Sequence, residues 1–258
     1  MDPTRTRTVL VTGASRGIGR AIAQTFAAAG DRVAVHYGSS RKDADATVNS
    51  LAGTGHLLVH GDLGEPAAAK EIVDAAIRGL GTLDVLVNNA AVAPTERNRH
   101  RISDVSSEQW QLVWRQMLDV NLLGAAHITY HVAAHLIERG APGSIVNVGS
   151  RGAFRGEPDF PAYGAAKAAL HAFGQSMAVA LAPHGIAVTS VAPGFVGTER
   201  QQSKLDGDQG SELRAQSPFG RVGTPEEIAA AVLYLSSSDA TWASGAILDL
   251  NGASYLRT

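Results

Sequence analysis

Thr8-Val9-Leu10-Val11-Thr12-Gly13-Ala14-Ser15-Arg16-Gly17-Ile18-Gly19 is the stretch on which the fold turns. A short β-branched apolar run leads without a break into three glycines, and a helical pattern follows. Glycines at a strand-to-helix turn allow a tight bend, a close approach of backbone to a phosphate, and close helix packing. The free N–H groups of the helix start then face an anion. The spacing is G-x-x-x-G-x-G, and its place after a first strand predicts a dinucleotide pyrophosphate site built from Gly13, Ser15, Arg16, Gly17, Ile18 and Gly19.

Six more strand-like runs follow outward from this turn: Arg32–Tyr37, His56–His60, Leu83–Asn88, Ser144–Val148, Ile186–Val191 and Ala246–Leu250. They are nearly continuous apolar runs, the pattern of parallel strands buried on both faces. Ala-rich helical stretches separate them. Gly17–Ala29 is closed by Gly30 and Glu65–Leu80 by Gly81, while Thr224-Pro225-Glu226-Glu227 opens the last helix with a capping box. Strand–helix alternation predicts right-handed crossovers and an α/β fold: a Rossmann-type doubly wound parallel sheet of about seven strands with helices on both faces. No linker divides the chain, so residues 1–258 are expected to form one dinucleotide-binding and catalytic domain. Residues 195–220 are polar and glycine-punctuated and predict a lid.

Composition narrows the function classes. With 22 basic and 24 acidic residues, the net charge of −2 gives no field for gripping nucleic acid or an anionic membrane. The absence of cysteine removes disulfides, thiolate metal sites and cysteine nucleophiles. The polar start, Met1 to Thr8, offers no secretory apolar segment, and the charge-free run Ala168–Thr198 is broken by Pro183-His184-Gly185 and Pro193-Gly194. The expectation is a cytoplasmic protein. His127, His131 and His135 share a helix face but lack a carboxylate at matching spacing, so no metal site is expected. Arg97-Asn98-Arg99-His100-Arg101 reads as a solvated basic loop, not a nucleic-acid contact. Arg151 and Arg155 face either an acidic substrate or solvent.

Tyr163 and Lys167 lie four apart on a helix expected over about Ala162–Ala182. A free phenol titrates near 10, and an ammonium roughly 4–6 Å away lowers that value, which suits proton transfer. Ser150 ends the fifth strand, where ligands bind in parallel sheets.

Together these segments resemble the short-chain dehydrogenases/reductases over essentially the whole chain. The carriers are the glycine loop, Asp62-Leu63, Asn88-Asn89-Ala90-Ala91, Asn121, Ser150, Tyr163-x-x-x-Lys167 and Pro193-Gly194-Phe195-Val196-Gly197-Thr198, with Ala91 where glycine is usual. The resemblance implies a catalytic set of Asn121, Ser150, Tyr163 and Lys167. It adds Asp62, Leu63, Asn89, Ala90, Tyr163, Lys167, Pro193, Gly194, Val196 and Thr198 to the cofactor contacts, and it makes Ser150 a hydrogen-bond donor to the substrate carbonyl and Asn121 the holder of a water. The reaction implied moves hydride between nicotinamide and a carbonyl or secondary alcohol. The motif wording is most like 3-oxoacyl-acyl carrier protein reductases, with sugar, polyol or other small-alcohol dehydrogenases as the alternative, and a non-catalytic dinucleotide-binding regulator as the rival from another class. A homo-oligomer, most often a tetramer, is also implied, and the segment between Ala91 and Trp114 is longer than in typical members. The second strand ends His36-Tyr37-Gly38-Ser39-Ser40-Arg41, with no carboxylate before Asp43. Ser39, Arg41 and Arg16 are therefore expected to receive a 2′-phosphate, so that NADP(H) is preferred and NAD(H) is the alternative.

Overall fold

Val9 and Val11 face one side of a sheet and Leu10 the other, all three without solvent exposure in the computed structural model, which describes residues 6–257. Most of the polar start at Met1 to Thr8 lies outside the described residues. Seven strands make up the sheet: β1 (Thr8–Val11), β2 (Arg32–Tyr37), β3 (Leu57–His60), β4 (Val85–Asn88), β5 (Gly143–Val148), β6 (Ile186–Pro193) and β7 (Ile247–Leu250). All pair in parallel, in the order β3-β2-β1-β4-β5-β6-β7. The Rossmann-type α/β expectation therefore holds, and strand order reverses between β1 and β4, the point where such sheets open a crevice at their carboxyl ends.

Two apolar cores cover the two faces. On one, Val9, Val11, Val33, Val35, Val85 and Val87 pack against α1 (Gly17–Ala28) and α9 (Pro225–Leu235) through Ile22, Phe26, Ile228 and Val232. On the other, Leu10, Leu86, Ile145 and Val188 meet α3 (Pro66–Leu80), α5 (Ala125–Glu138) and α6 (Pro161–Leu181) through Ile72, Leu80, Ile128, Leu136 and Leu181. Each core holds about a dozen fully buried Val, Leu and Ile side chains, and burial of one such side chain contributes roughly 1.5–3 kcal/mol.

Three elements differ from the sequence reading. A polar helix, α2 (Arg41–Asn49), follows β2, started by the Ser40 side chain. From Ser107 the chain forms α4 (Ser107–Leu118), then a π-helical segment over Asp119–Gly124, then α5. The lid stretch 195–220 carries two short helices, α7 (Gln202–Asp206) and α8 (Gly210–Ala215), and a parallel bridge from Val196 to Gly223 ties its base down. No helix among the described residues is long and apolar enough to cross a membrane.

Candidate active site

A cavity of about 970 Å³ opens at the carboxyl ends of the strands and runs from the glycine loop to the lid. Its phosphate end is shaped by glycines. Gly13 and Gly17 hold positive φ (63° and 56°), and a Cβ at Gly19 would stand 2.3 Å from the Gly13 carbonyl oxygen. Helix α1 begins without a side-chain cap, so its first N–H groups stay available for an anion. Ser15, Arg16, Gly17 and Ile18 line this end.

Thr12 and His36, two residues the sequence reading left out, hold the loop in shape. The Thr12 hydroxyl accepts from the Asn89 and Ala90 N–H groups (2.9 and 3.0 Å), and Asn89 Nδ2 donates to the Thr12 and Gly13 carbonyls. The Gly13 N–H donates to His36 Nδ1 at 3.1 Å, while His36 Nε2 lies 3.0 Å from the Gly61 carbonyl. Nε2 therefore carries the proton. Burial, the dominant influence, holds this imidazole near pKa 4 and so neutral. Its signal in the sequence was a polar residue at the carboxyl end of an otherwise apolar strand.

The middle of the cavity collects Asp62, Leu63, Asn89 and Ala90 on one side and Pro193, Gly194, Val196 and Thr198 on the other. After β2, Ser39 and Ser40 line the wall. Arg41 does not: it opens α2 and pairs with Asp45 at 3.3 Å on the surface.

Ser150, Tyr163 and Lys167 meet at the far end. Lys167 is buried, donates to the Val148 carbonyl at 2.8 Å, and lies 6.0 Å from the centre of the Tyr163 ring. Burial lowers its pKa to about 8. The spacing predicted a phenol held below its ordinary value by this ammonium. The structure gives the reverse direction, because burial of Tyr163 dominates and raises it, while a hydrogen bond with Ser150 acts the other way. Asn121 does not line the cavity. It is buried in the π-helical segment, where its Oδ1 accepts from the Val92 N–H (2.7 Å) and its Nδ2 donates to the Val92 carbonyl (3.1 Å). The wider turn is what aims this amide at the chain leaving β4.

Residues around Ser150 complete the wall. Arg151 lines the cavity, is largely buried, and donates to Ser254 and to Gln216 of the lid, the latter at 2.9 Å. Arg155 lies 3.8 Å from Glu157, whose carboxyl is raised above its ordinary pKa chiefly by burial. Of the three histidines at helical spacing, His135 accepts from the Leu83 N–H at 3.3 Å, and no cluster of metal-ligating side chains occurs among the described residues.

The arrangement can do two things: cradle a dinucleotide at the glycine end, and hold a hydroxyl, a phenol and an ammonium around a reacting oxygen at the other. Comparison with known proteins agrees. The model of a family described as enoyl-(acyl carrier protein) reductase matches residues 13–252. An L-rhamnose 1-dehydrogenase (NAD(P)(+)) of a Sphingomonas species is 36% identical, over 97% of this chain and 96% of that one. The 3-oxoacyl-[acyl-carrier-protein] reductase of Escherichia coli is 34% identical, over 96% of each. A 3beta-hydroxysteroid dehydrogenase of Eggerthella lenta is 33% identical, over 99% and 96%. From the seven-stranded parallel sheet, the glycine cradle and this kinship, the chain belongs to the short-chain dehydrogenase/reductase family and is an oxidoreductase of CH–OH groups that works with a nicotinamide cofactor.

Proposed function

We propose that this protein is an NADP(H)-dependent oxidoreductase in which Tyr163, Ser150, Lys167 and Asn121 do the work around the reacting carbon. The observation that carries the reading is the gathering of Ser150, Tyr163 and Lys167 at one end of a cavity whose other end is an uncapped helix start. When bound in this cradle, the nicotinamide supplies or takes up the hydride. Tyr163 gives a proton to the substrate oxygen in reduction and takes it back in oxidation. The Ser150 hydroxyl donates to the same oxygen as negative charge grows there. Lys167, fixed by Val148, keeps an ammonium beside the phenol, while the Ser150 hydrogen bond acts against the burial that raises the phenol's pKa. Asn121 holds Val92 and so sets the wall opposite.

The preference for the 2′-phosphate rests on Ser39 and Ser40, which line the adenosine end where NAD-specific sites carry an acid, and on Arg16 beside them. Arg41 joins by leaving Asp45, an exposed pair that solvent screens. NAD(H) is the alternative cofactor. The reading includes a cytoplasmic homotetramer, supported by large apolar side chains left open on α5 and α6: Tyr130 is 69% exposed and Val179 79%.

For the substrate, likeness to the Escherichia coli reductase favours a 3-oxoacyl thioester. A second reading, a sugar or polyol, is favoured by Glu157. Its half-buried carboxyl has only the 3.8 Å approach of Arg155, and a desolvated acceptor of this kind is costly unless a ligand donates to it. Hydroxyl groups would.

Steady-state rates with NADPH and NADH, against an acetoacetyl thioester and a panel of sugars and polyols, test all of this. A higher kcat/KM with NADPH is expected, eroded by Arg16→Ala; equal values overturn the cofactor preference. Tyr163→Phe keeps the ring and is expected to lower turnover by roughly 10²–10⁴-fold, with NADPH fluorescence titrations unchanged. A variant keeping more than about a tenth of the rate would mean that another group carries the proton.

A further inference from the structure

The longer segment after β4 is tied at both of its ends to the catalytic wall. At its start, Val92 is gripped by the Asn121 amide through two hydrogen bonds. Next, Asn98 folds back on the cavity wall: its Nδ2 donates to the Ala93 carbonyl at 3.0 Å and its Oδ1 accepts from the Thr95 N–H at 2.8 Å. Ala93 lines the cavity. Then comes His100, with no solvent exposure at all, its ring set edge-on to Trp110 and Phe160.

Both nitrogens of this imidazole are engaged. Nε2 accepts from the Ala162 N–H at 3.0 Å, so Nδ1 holds the proton and faces the Asn98 carbonyl at 2.8 Å. Ala162 is the second residue of α6, in the turn where N–H groups have no partner inside the helix, and Phe160, which precedes the helix, supplies no side-chain cap. His100 fills that role from outside. Tyr163 is the next residue. The backbone repeats the link, since the His100 N–H donates to the Asp159 carbonyl at 3.0 Å, and Arg99 and Arg101 both reach the Asp159 carboxylate (3.4 and 2.8 Å).

We infer that His100 is a positioning residue for Tyr163: residues 92–100 form a strap from Asn121 to the first turn of α6, and the imidazole fixes where that turn, and hence the phenol, stands against the cavity. The inference rests on the catalytic role of Tyr163 given above. A covalently continuous strap has a purpose here that burial alone does not, because a small displacement of a catalytic group, on the order of 1 Å, can lower a rate by about 100-fold.

The test uses the full-length protein and three variants. H100F keeps a ring between Trp110 and Phe160 but removes the acceptor for Ala162 and the donor to Asn98; H100Q keeps an acceptor near the position of Nε2; N98A leaves the ring and frees the segment from Ala93. Expected for H100F is a fall in kcat of about tenfold or more, with the substrate KM and the NADPH dissociation constant within about twofold of wild type. H100Q is expected to recover most of that kcat, and N98A to lose several-fold. A wild-type kcat in H100F, measured well below its melting temperature, overturns the assignment and leaves His100 a core residue. Should H100F not fold, N98A decides in the same way. Loss of turnover in Tyr163→Phe alongside a normal H100F sinks this inference alone, whereas normal turnover in Tyr163→Phe sinks the reading beneath it.

Discussion

His36 and His171 are imidazoles whose surroundings resist a proton. His36 is locked between Gly13 and Gly61. His171, one turn beyond Lys167, stacks on Phe154 with ring centres 5.2 Å apart and fills the space that a Cβ on Gly149 would take. Burial first, and then the Lys167 charge, hold His171 at about 4, as burial holds His36. In the unfolded chain each titrates near 6.5, so between that value and about 4 the unfolded state binds protons that the folded state does not. Stability is therefore full above pH 6.5 and lost as the pH falls through this window. One pKa unit corresponds to about 1.4 kcal/mol, so the two sites together reach several kcal/mol of a typical total of about 5–15. Urea unfolding midpoints at pH 7 and pH 5 are expected to drop steeply in the wild-type protein and less so in His171→Phe. Equal drops would mean that His171 contributes nothing to acid unfolding. In the folded protein His36 gains its proton only as the pH approaches about 4, where the Gly13 N–H loses its acceptor, so NADPH affinity is expected to weaken near that pH.

The elements show why some of this was legible in sequence and some was not. The seven strands were readable because each is a mostly apolar run, the five inner ones buried on both faces and the edge strands β3 and β7 only partly covered, a pattern that survives without knowledge of partners. The start of α9 was readable because its capping box is local: Glu227 accepts from the Thr224 N–H at 2.9 Å, and Thr224 accepts in return. Helix α2 was not, since Arg41–Asn49 is polar with only Ala44 and Thr47 buried, too few apolar positions for a period to emerge. The π-helical segment around Asn121 escaped for a different reason: its wider turn answers to a distant partner, the Val92 backbone, that no local pattern records. The direction of the Tyr163 shift escaped likewise. Spacing gives the distance to Lys167 along a helix, but burial of the phenol depends on the lid and on the segment after β4.

For the molecule as a whole, the open question is what covers its apolar exterior. Tyr130 and Val179 are joined by Trp242, which is fully exposed, and by Tyr234 on α9. Single apolar side chains on a surface are ordinary, but several large ones on helices of both faces favour symmetric association. Light scattering at micromolar concentration is expected to return a multiple of the 26.8 kDa chain mass. The monomer mass would remove the tetramer from the proposal.

The placement of tryptophan has an optical consequence. Of the chain's 3 indoles, Trp110 and Trp114 lie against each other beside His100, 5.7 Å between rings, and the third is Trp242 in open solvent. The emission is thus divided into a half-buried pair that watches the strap and a lone outer ring that would report association of subunits. A collisional quencher such as iodide reads the outer ring first, and dilution changes its access only if subunits part. Displacement of the strap, in contrast, will register in the half-buried pair beside His100.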